Sequence, residues 1–134
     1  MASDRLRGSR ATTKVVLDSS AAMMPFEFMI DLESELSRIL GSFKILVPSS
    51  VYNELVFLKE HGKGRKKRLA KPALDLIKNY EIVETKAEAD DAVLDLANKL
   101  NGIVFTNDKE LRKRAKENNL KTIFLRGKQK LVLE

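Results

Sequence analysis

Asp18, Glu54, Asp90, Asp91 and Asp108 are the residues of this chain whose type and placement could carry chemistry. Each falls where a loop or helix start would converge over the carboxyl ends of parallel strands. Asp18 follows the apolar run Val15-Val16-Leu17, Glu54 lies early in a helix that follows Phe43 to Val47, Asp90 and Asp91 open another helix, and Asp108 follows Ile103 to Thr106. Open α/β sheets bind ligands at that end. Converging carboxylates repel one another unless a hard cation joins them, and oxygen-only ligation suits Mg2+ or Mn2+. The chemistry that follows is metal-assisted phosphodiester hydrolysis. Singly, each acid has an ordinary explanation: turn former or N-cap for Asp18 and Asp108, solvated flank for Glu54, helix-start charge for the aspartate pair. Only their joint placement carries the functional reading.

Other chemistries lack their parts. No GxGxxG or GxxxxGK[ST] loop is present, so dinucleotide and P-loop phosphate binding have no glycine cradle. With no cysteine there are no disulfides, zinc–thiolate sites or cysteine nucleophiles. The one histidine, His61, sits in a basic run, where a solvated or RNA-facing ring is expected rather than a catalytic base. A serine nucleophile would need a positioned histidine. A haloacid-dehalogenase pattern would want a second aspartate where Ser20 stands.

A formal charge of +6 and a pI near 9.6 make a polyanion a reasonable partner. The distribution is more informative. Lys59 to Lys71 concentrates Lys63, Arg65, Lys66, Lys67, Arg68 and Lys71 with few compensating acids, and these are assigned to RNA phosphates. Arg112, from a second cluster with Lys109, Lys113, Arg114 and Lys116, is assigned with them, although that cluster also reads as a solvated helix face. Tyr52 and Phe57 could offer stacking surfaces, but core packing is the expectation for both.

The elements that must position these groups follow from periodicity. Residues 1–13 are polar, basic and aperiodic and read as a flexible arm, leaving 14–134 as a single domain. Pro25 reads as a loop or helix start, and Met29, Leu32, Leu36 and Leu40 recur at helical spacing up to a stop at Gly41. Pro48-Ser49-Ser50 caps a helix with Val51, Leu55 and Leu58 on its apolar stripe, so Glu54, about 60° from the stripe centre, borders the core. The basic run is loosened by two glycines, and a helix resumes through Pro72 to Tyr80 as a new start or a kink. Glu81 to Glu84 is a short strand, Gly102 stops the helix before Ile103, and Asn107 or Asp108 opens the next helix. Thr122 to Leu125 is a last parallel strand, and Arg126 to Glu134 adds a hairpin or edge strand. Strands alternate with helices at βα spacing, which gives an α/β domain with a mainly parallel sheet. No run reaches the roughly 18 apolar residues of a membrane span, and no signal peptide core is seen, so a soluble, cytoplasmic protein without membrane contact is expected.

The segments KVVLDSS, VPSSVYNEL, ADDAVLDLA and GIVFTNDKELRKRA resemble, in order, the four acidic motifs of the PIN-domain nucleases, over about Lys14 to Leu125. The resemblance implies a three-layer α/β/α sandwich and metal-dependent cleavage of single-stranded or structured RNA with Mg2+ or Mn2+. It carries the family's acids over to Asp18, Glu54, one of Asp90 and Asp91, and Asp108. MPFEFMIDLESEL, HGKGRKKRLAKPAL and FLRGKQKLVLE are similar to archaeal single-domain PIN proteins related to eukaryotic nucleases of small-subunit ribosomal RNA processing. VapC-type toxins are the next nearest. The resemblance thus implies an endoribonuclease acting on an rRNA precursor, with a ribosome-assembly factor or an antitoxin as partner, and homodimers are common. A non-cleaving RNA-binding or ribosome-assembly module is the third reading.

Helical phase separates the adjacent aspartates. Val93, Leu94 and Ala97 define a buried face, and Asp90 stands three, four and seven positions before them. Asp90 is therefore the expected metal ligand with Asp18 and Asp108. Asp91, the second choice, points away, toward a second metal, a water or the substrate.

Overall fold

The computed structural model describes residues 12–134. Residues 1–11 of the expected arm lie outside the described residues, and Thr13 already belongs to the first strand. The elements are β1 (Thr13–Leu17), α1 (Ser19–Phe28), α2 (Leu32–Leu40), β2 (Phe43–Pro48), α3 (Ser49–His61), α4 (Gly64–Ile77), β3 (Glu81–Val83), α5 (Ala89–Leu100), β4 (Ile103–Phe105), α6 (Lys109–Glu117), β5 (Thr122–Arg126) and β6 (Lys130–Leu133). Their strands form one sheet in the order β3-β2-β1-β4-β5-β6, parallel except for the β5–β6 hairpin. The α/β class, the mainly parallel sheet and the terminal hairpin are as expected.

The central strands are short because apolar runs of three to five residues, covered by helices on both faces, need no polar alternation. Val15, Val16, Val104 and Phe105 are fully buried. From β1 the chain moves outward through β2 to β3, then returns across the sheet by α5 to β4 and continues the other way. With this strand order the right-handed rule for parallel crossovers assigns α1 to α4 to one face and α5 and α6 to the other, and α1 and α3 both pack against α4. The reversal makes the seam between β1 and β4 the topological switch point. Among the described residues no helix is long and apolar enough to cross a membrane.

Four expectations change. Helix α1 runs through Pro25, where a loop or a helix start was expected, and the chain leaves it through Met29, which adopts a left-handed conformation and is 88% exposed. Met29 is therefore not part of the stripe of α2, which Leu32 and Leu36 supply. Helix α4 starts at Gly64 and runs through Pro72 without restarting, so most of the basic run is helical. The glycine before it makes a corner: a Cβ at Gly62 would collide with the Leu58 carbonyl oxygen. Finally, α5 is stopped by Asn101 in the left-handed conformation, and Gly102 serves a different need, because a Cβ there would stand 2.9 Å from the Lys14 carbonyl oxygen. That close approach lets β4 pair with β1.

A candidate metal-binding cleft at the β1–β4 seam

Register places the first two acids. Leu17 pairs with Phe105, and the Asp18 N–H donates to the Phe105 carbonyl at 3.2 Å, so Asp18 and Thr106 stand level where the two strands end. Asp18 then caps α1: its Oδ1 accepts from the Ala21 N–H at 2.9 Å and from Ser20 Oγ at 2.8 Å. Asp108 caps α6 in the same way, its Oδ1 accepting from the N–H groups of Glu110 at 2.8 Å and Leu111 at 3.1 Å. Both acids are helix N-caps, and in both cases the cap holds the carboxylate over the switch point.

Two hydroxyls not singled out from the sequence tie this seam together. Thr106, fully buried, donates from Oγ1 to Asp18 Oδ2 and accepts the Asp108 N–H at 2.9 Å. Ser20 Oγ bonds Asp18 and accepts the Asn107 N–H at 3.0 Å. Asn107 is not the cap; its Oδ1 accepts the Leu125 N–H at 2.9 Å and fastens the loop to β5. The available signal was a hydroxyl directly after one apolar run, Thr106 after Phe105, and another three residues past the other, Ser20 after Leu17.

Asp90 and Asp91 diverge as helical phase requires. Asp90 is half-buried and lines the cleft, whereas Asp91 is exposed and held by Arg114 at 2.6 Å. Asp91 is thus bonded to a neighbouring helix and not directed at the other acids. Ala89, just before Asp90, adopts φ 53°, a left-handed conformation costly for a residue with a Cβ. This strained residue sets the entry of α5 that aims Asp90 into the cleft.

Asp18, Glu54, Asp90 and Asp108 line one cleft of about 270 Å³, with Ser20, Met23, Val51, Leu58, Lys66 and Val93 among its other walls. Glu54 is exposed on its rim and does not border the core as expected. A larger cleft of about 620 Å³ lies against Lys14, Lys44, Glu81 and Lys99 and holds none of these four acids, so the chemistry does not follow size. Of the cations assigned to RNA, Lys66 reaches the acidic cleft. Arg65 pairs with Glu27 at 3.0 Å, and Lys63, Lys67, Arg68 and Lys71 are exposed on or beside α4. Arg112 lies elsewhere, with its guanidinium 3.7 Å from the centre of the Phe124 ring.

The electrostatics fit a hard cation. Burial pushes the Asp18 carboxyl from its ordinary 3.8 up to about 6, against the lowering effect of hydrogen bonds from Thr106, Ala21 and Ser20, with the Asp90 charge adding to the rise. Asp90 is raised as well, first by burial and then by the Asp108 carboxylate. The donor set is all oxygen, and its members disfavour one another's charge. Among the described residues no three acids are close enough to enclose an ion by themselves. An ion here would draw its remaining ligands from water or phosphate, as Mg2+ does.

Phe57 is 61% exposed and Tyr52 36%, so neither is packed in the core as expected.

Comparison with known proteins accords with this geometry. A family model described as a PIN like domain matches residues 15–128. The chain is 32% identical to Ribonuclease VapC9 of Archaeoglobus fulgidus over 100% of its own length and 98% of that protein. It is 37% identical to Ribonuclease VapC4 of Methanocaldococcus jannaschii over 87% of its own length and 92% of that protein. Its fold is similar to that of the PIN domain endonuclease Utp24, with a TM-score of 0.75 at 22% identity and 90% of each chain covered. By the extent of the family match and by full-length identity to such relatives, the chain belongs to the PIN-domain family.

Proposed function

We propose that this PIN-domain protein is a divalent-metal-dependent endoribonuclease. The observation that carries the reading is the convergence of Asp18, Asp90, Asp108 and Glu54 on one cleft with Lys66 on its wall. That the full-length relatives are named ribonucleases supports RNA as the substrate.

Asp18, Asp90 and Asp108 would hold Mg2+ or Mn2+, which when bound makes water a better nucleophile and offsets charge on the phosphate. The protein's own groups do the rest. Thr106 and Ser20 hold Asp18 in one orientation, and the α6 cap holds Asp108. Glu54, exposed on the rim of the cleft, orients the attacking water and accepts its proton. Lys66 neutralises a phosphate oxygen, and Lys63, Lys67, Arg68 and Lys71 carry the flanking backbone. Direct attack by water breaks the bond to the 3′ oxygen and leaves a 5′-phosphate and a 3′-hydroxyl.

Two settings suit this activity. The names of the full-length relatives favour a VapC-type ribonuclease restrained by an antitoxin. The basic α4 and the terminal LRGKQKL segment, similar to ribosomal RNA-processing PIN proteins, favour a pre-rRNA substrate and a ribosome-assembly partner. Growth arrest on expression, relieved by a neighbouring small protein, would select the first, and accumulation of an uncut rRNA precursor on deletion the second.

The chemistry is tested by incubating purified protein and end-labelled RNA with Mn2+ or with EDTA and analysing the ends. Metal-dependent fragments with 5′-phosphates are expected. Cyclic-phosphate ends, or equal cleavage in EDTA, would rule the mechanism out.

A further inference from the structure

Phe57 and His61 are one helical turn apart on α3, and their rings stack at a tilt of 41° with centroids 4.9 Å apart. The Phe57 ring is nonetheless 61% exposed, whereas Phe105, a core aromatic, is fully buried. A single exposed apolar side chain needs no explanation. A paired one does when its surroundings are specialised.

Two surroundings are. At about 100° per residue, Glu54, Phe57, Leu58 and His61 fall within one arc of roughly 100° on α3. Glu54 and Leu58 of that arc line the acidic cleft, so the ring pair continues its wall, about 4.5 Å and 10 Å along the axis from Glu54 at 1.5 Å per residue. Directly after His61 the chain turns at Gly62 into α4, whose exposed Lys66, Lys67, Arg68 and Lys71 have no carboxylate partner among the described residues. An exposed π-face between a phosphate-directed cleft and a row of cations has the composition of a single-strand binding groove, in which cations track the backbone and aromatic rings take bases.

We propose that Phe57, backed by His61, is a nucleobase-stacking subsite that holds an unpaired base of the RNA next to the scissile phosphate. The inference rests on the ribonuclease reading and adds how the strand is held. Every base has a π-face, so the contact gives position along the strand with little base preference. His61 limits the tilt of the Phe57 ring and widens the platform. A base within a duplex is already stacked and cannot use it, so the subsite favours an unpaired nucleotide.

The chain contains no tryptophan, so Phe57→Trp introduces a single indole that can be excited selectively over the two tyrosines. At a position this exposed the larger ring meets no packing obstacle. In an Asp90→Asn background, to prevent cutting, a 5′-labelled single-stranded oligoadenylate is titrated in Mg2+ and followed both by label anisotropy and by indole emission. The proposal expects binding with loss of emission, and binding without that loss to an oligonucleotide of equal length with abasic nucleotides. Phe57→Ala is expected to weaken oligoadenylate binding about tenfold, as loss of one stacked base does, and to leave abasic binding unchanged. Binding that leaves the emission unaltered, or an equal effect of Phe57→Ala on both oligonucleotides, would overturn the subsite while leaving the nuclease intact. Absence of both RNA binding and wild-type cleavage would overturn the underlying ribonuclease reading with it.

Discussion

Thr106 Oγ1 hydrogen-bonds to the buried Asp18 carboxylate and, at 2.9 Å, accepts the Asp108 N–H, so one hydroxyl couples the two acids of the β1–β4 seam. Thr106→Val keeps the shape and removes the coupling. Loss of a hydrogen bond to a buried carboxylate is expected to cost about 2 kcal/mol at neutral pH in metal-free protein, measured by urea denaturation. Cleavage should fall about 10- to 100-fold, as for other groups that orient metal ligands. Thr106→Ser should retain most of both.

The raised Asp18 pKa makes metal-free stability depend on pH in a definite direction. Burial holds the folded carboxyl at about 6 against an ordinary 3.8. Below about 3.8 both folded and unfolded states are protonated, and the group carries no penalty. As pH rises from about 3.8 to about 6 the unfolded chain ionises while the folded protein keeps the buried acid protonated, so stability falls by about 3 kcal/mol at 1.36 kcal/mol per pH unit, and the loss is complete once the folded carboxyl has ionised. Asp18→Asn should lose that decline and be the more stable protein at pH 8 in EDTA, while losing cleavage. Denaturation midpoints across pH check both.

The cations of α4 divide by position. Lys66 lines the acidic cleft, while Lys67 is exposed beside it. Lys66→Gln is expected to lower kcat about 10-fold or more, through the loss of an electrostatic contact at the reacting phosphate. Lys67→Gln should leave kcat within about twofold and reduce the slope of log affinity against log salt by about 0.7. Single-turnover rates and salt titrations separate the two.

The β6 edge makes a test of the fold. Leu131 turns its outer backbone groups toward α2, where its N–H donates to Glu35 at 3.0 Å and its carbonyl accepts from Arg38 at 2.9 Å. Arg38 and the Leu131 N–H hold the Glu35 carboxyl below its ordinary range. This pair covers an edge that could recruit another strand. Glu35→Gln should speed hydrogen exchange at the Leu131 amide by about tenfold, while amides of β1 and β4 exchange as before.

Much of this was legible in the sequence where local chemistry and global placement coincide. Val15 to Leu17 and Ile103 to Phe105 are apolar runs closed by acids, and a buried parallel strand ending in an N-cap leaves that trace. The 3.6-residue period separated Asp90 from Asp91. Helix α1 was not legible because Ala21 to Met24 are all buried, so no polar face marks the period, and Pro25 reads as a break. Thr106 and Ser20 were missed because their roles depend on the β1–β4 register, a contact across 88 residues between Asp18 and Thr106. Phe57 reads as core from the sequence because apolar residues are usually inside, a rule that does not run backwards.

The central claim is that Asp90, and not its neighbour, completes the cleft with Asp18 and Asp108. It is tested most directly by Mn2+-dependent cleavage of a labelled RNA by wild type, Asp90→Asn and Asp91→Asn at equal folded concentration. Asp91 is held by Arg114 at 2.6 Å, away from the other acids. Asp91→Asn should therefore cut within about threefold of wild type, and Asp90→Asn should lose at least about 100-fold, the scale for removing an electrostatic contact to the reacting centre. Equal cleavage by Asp90→Asn and wild type would contradict the account.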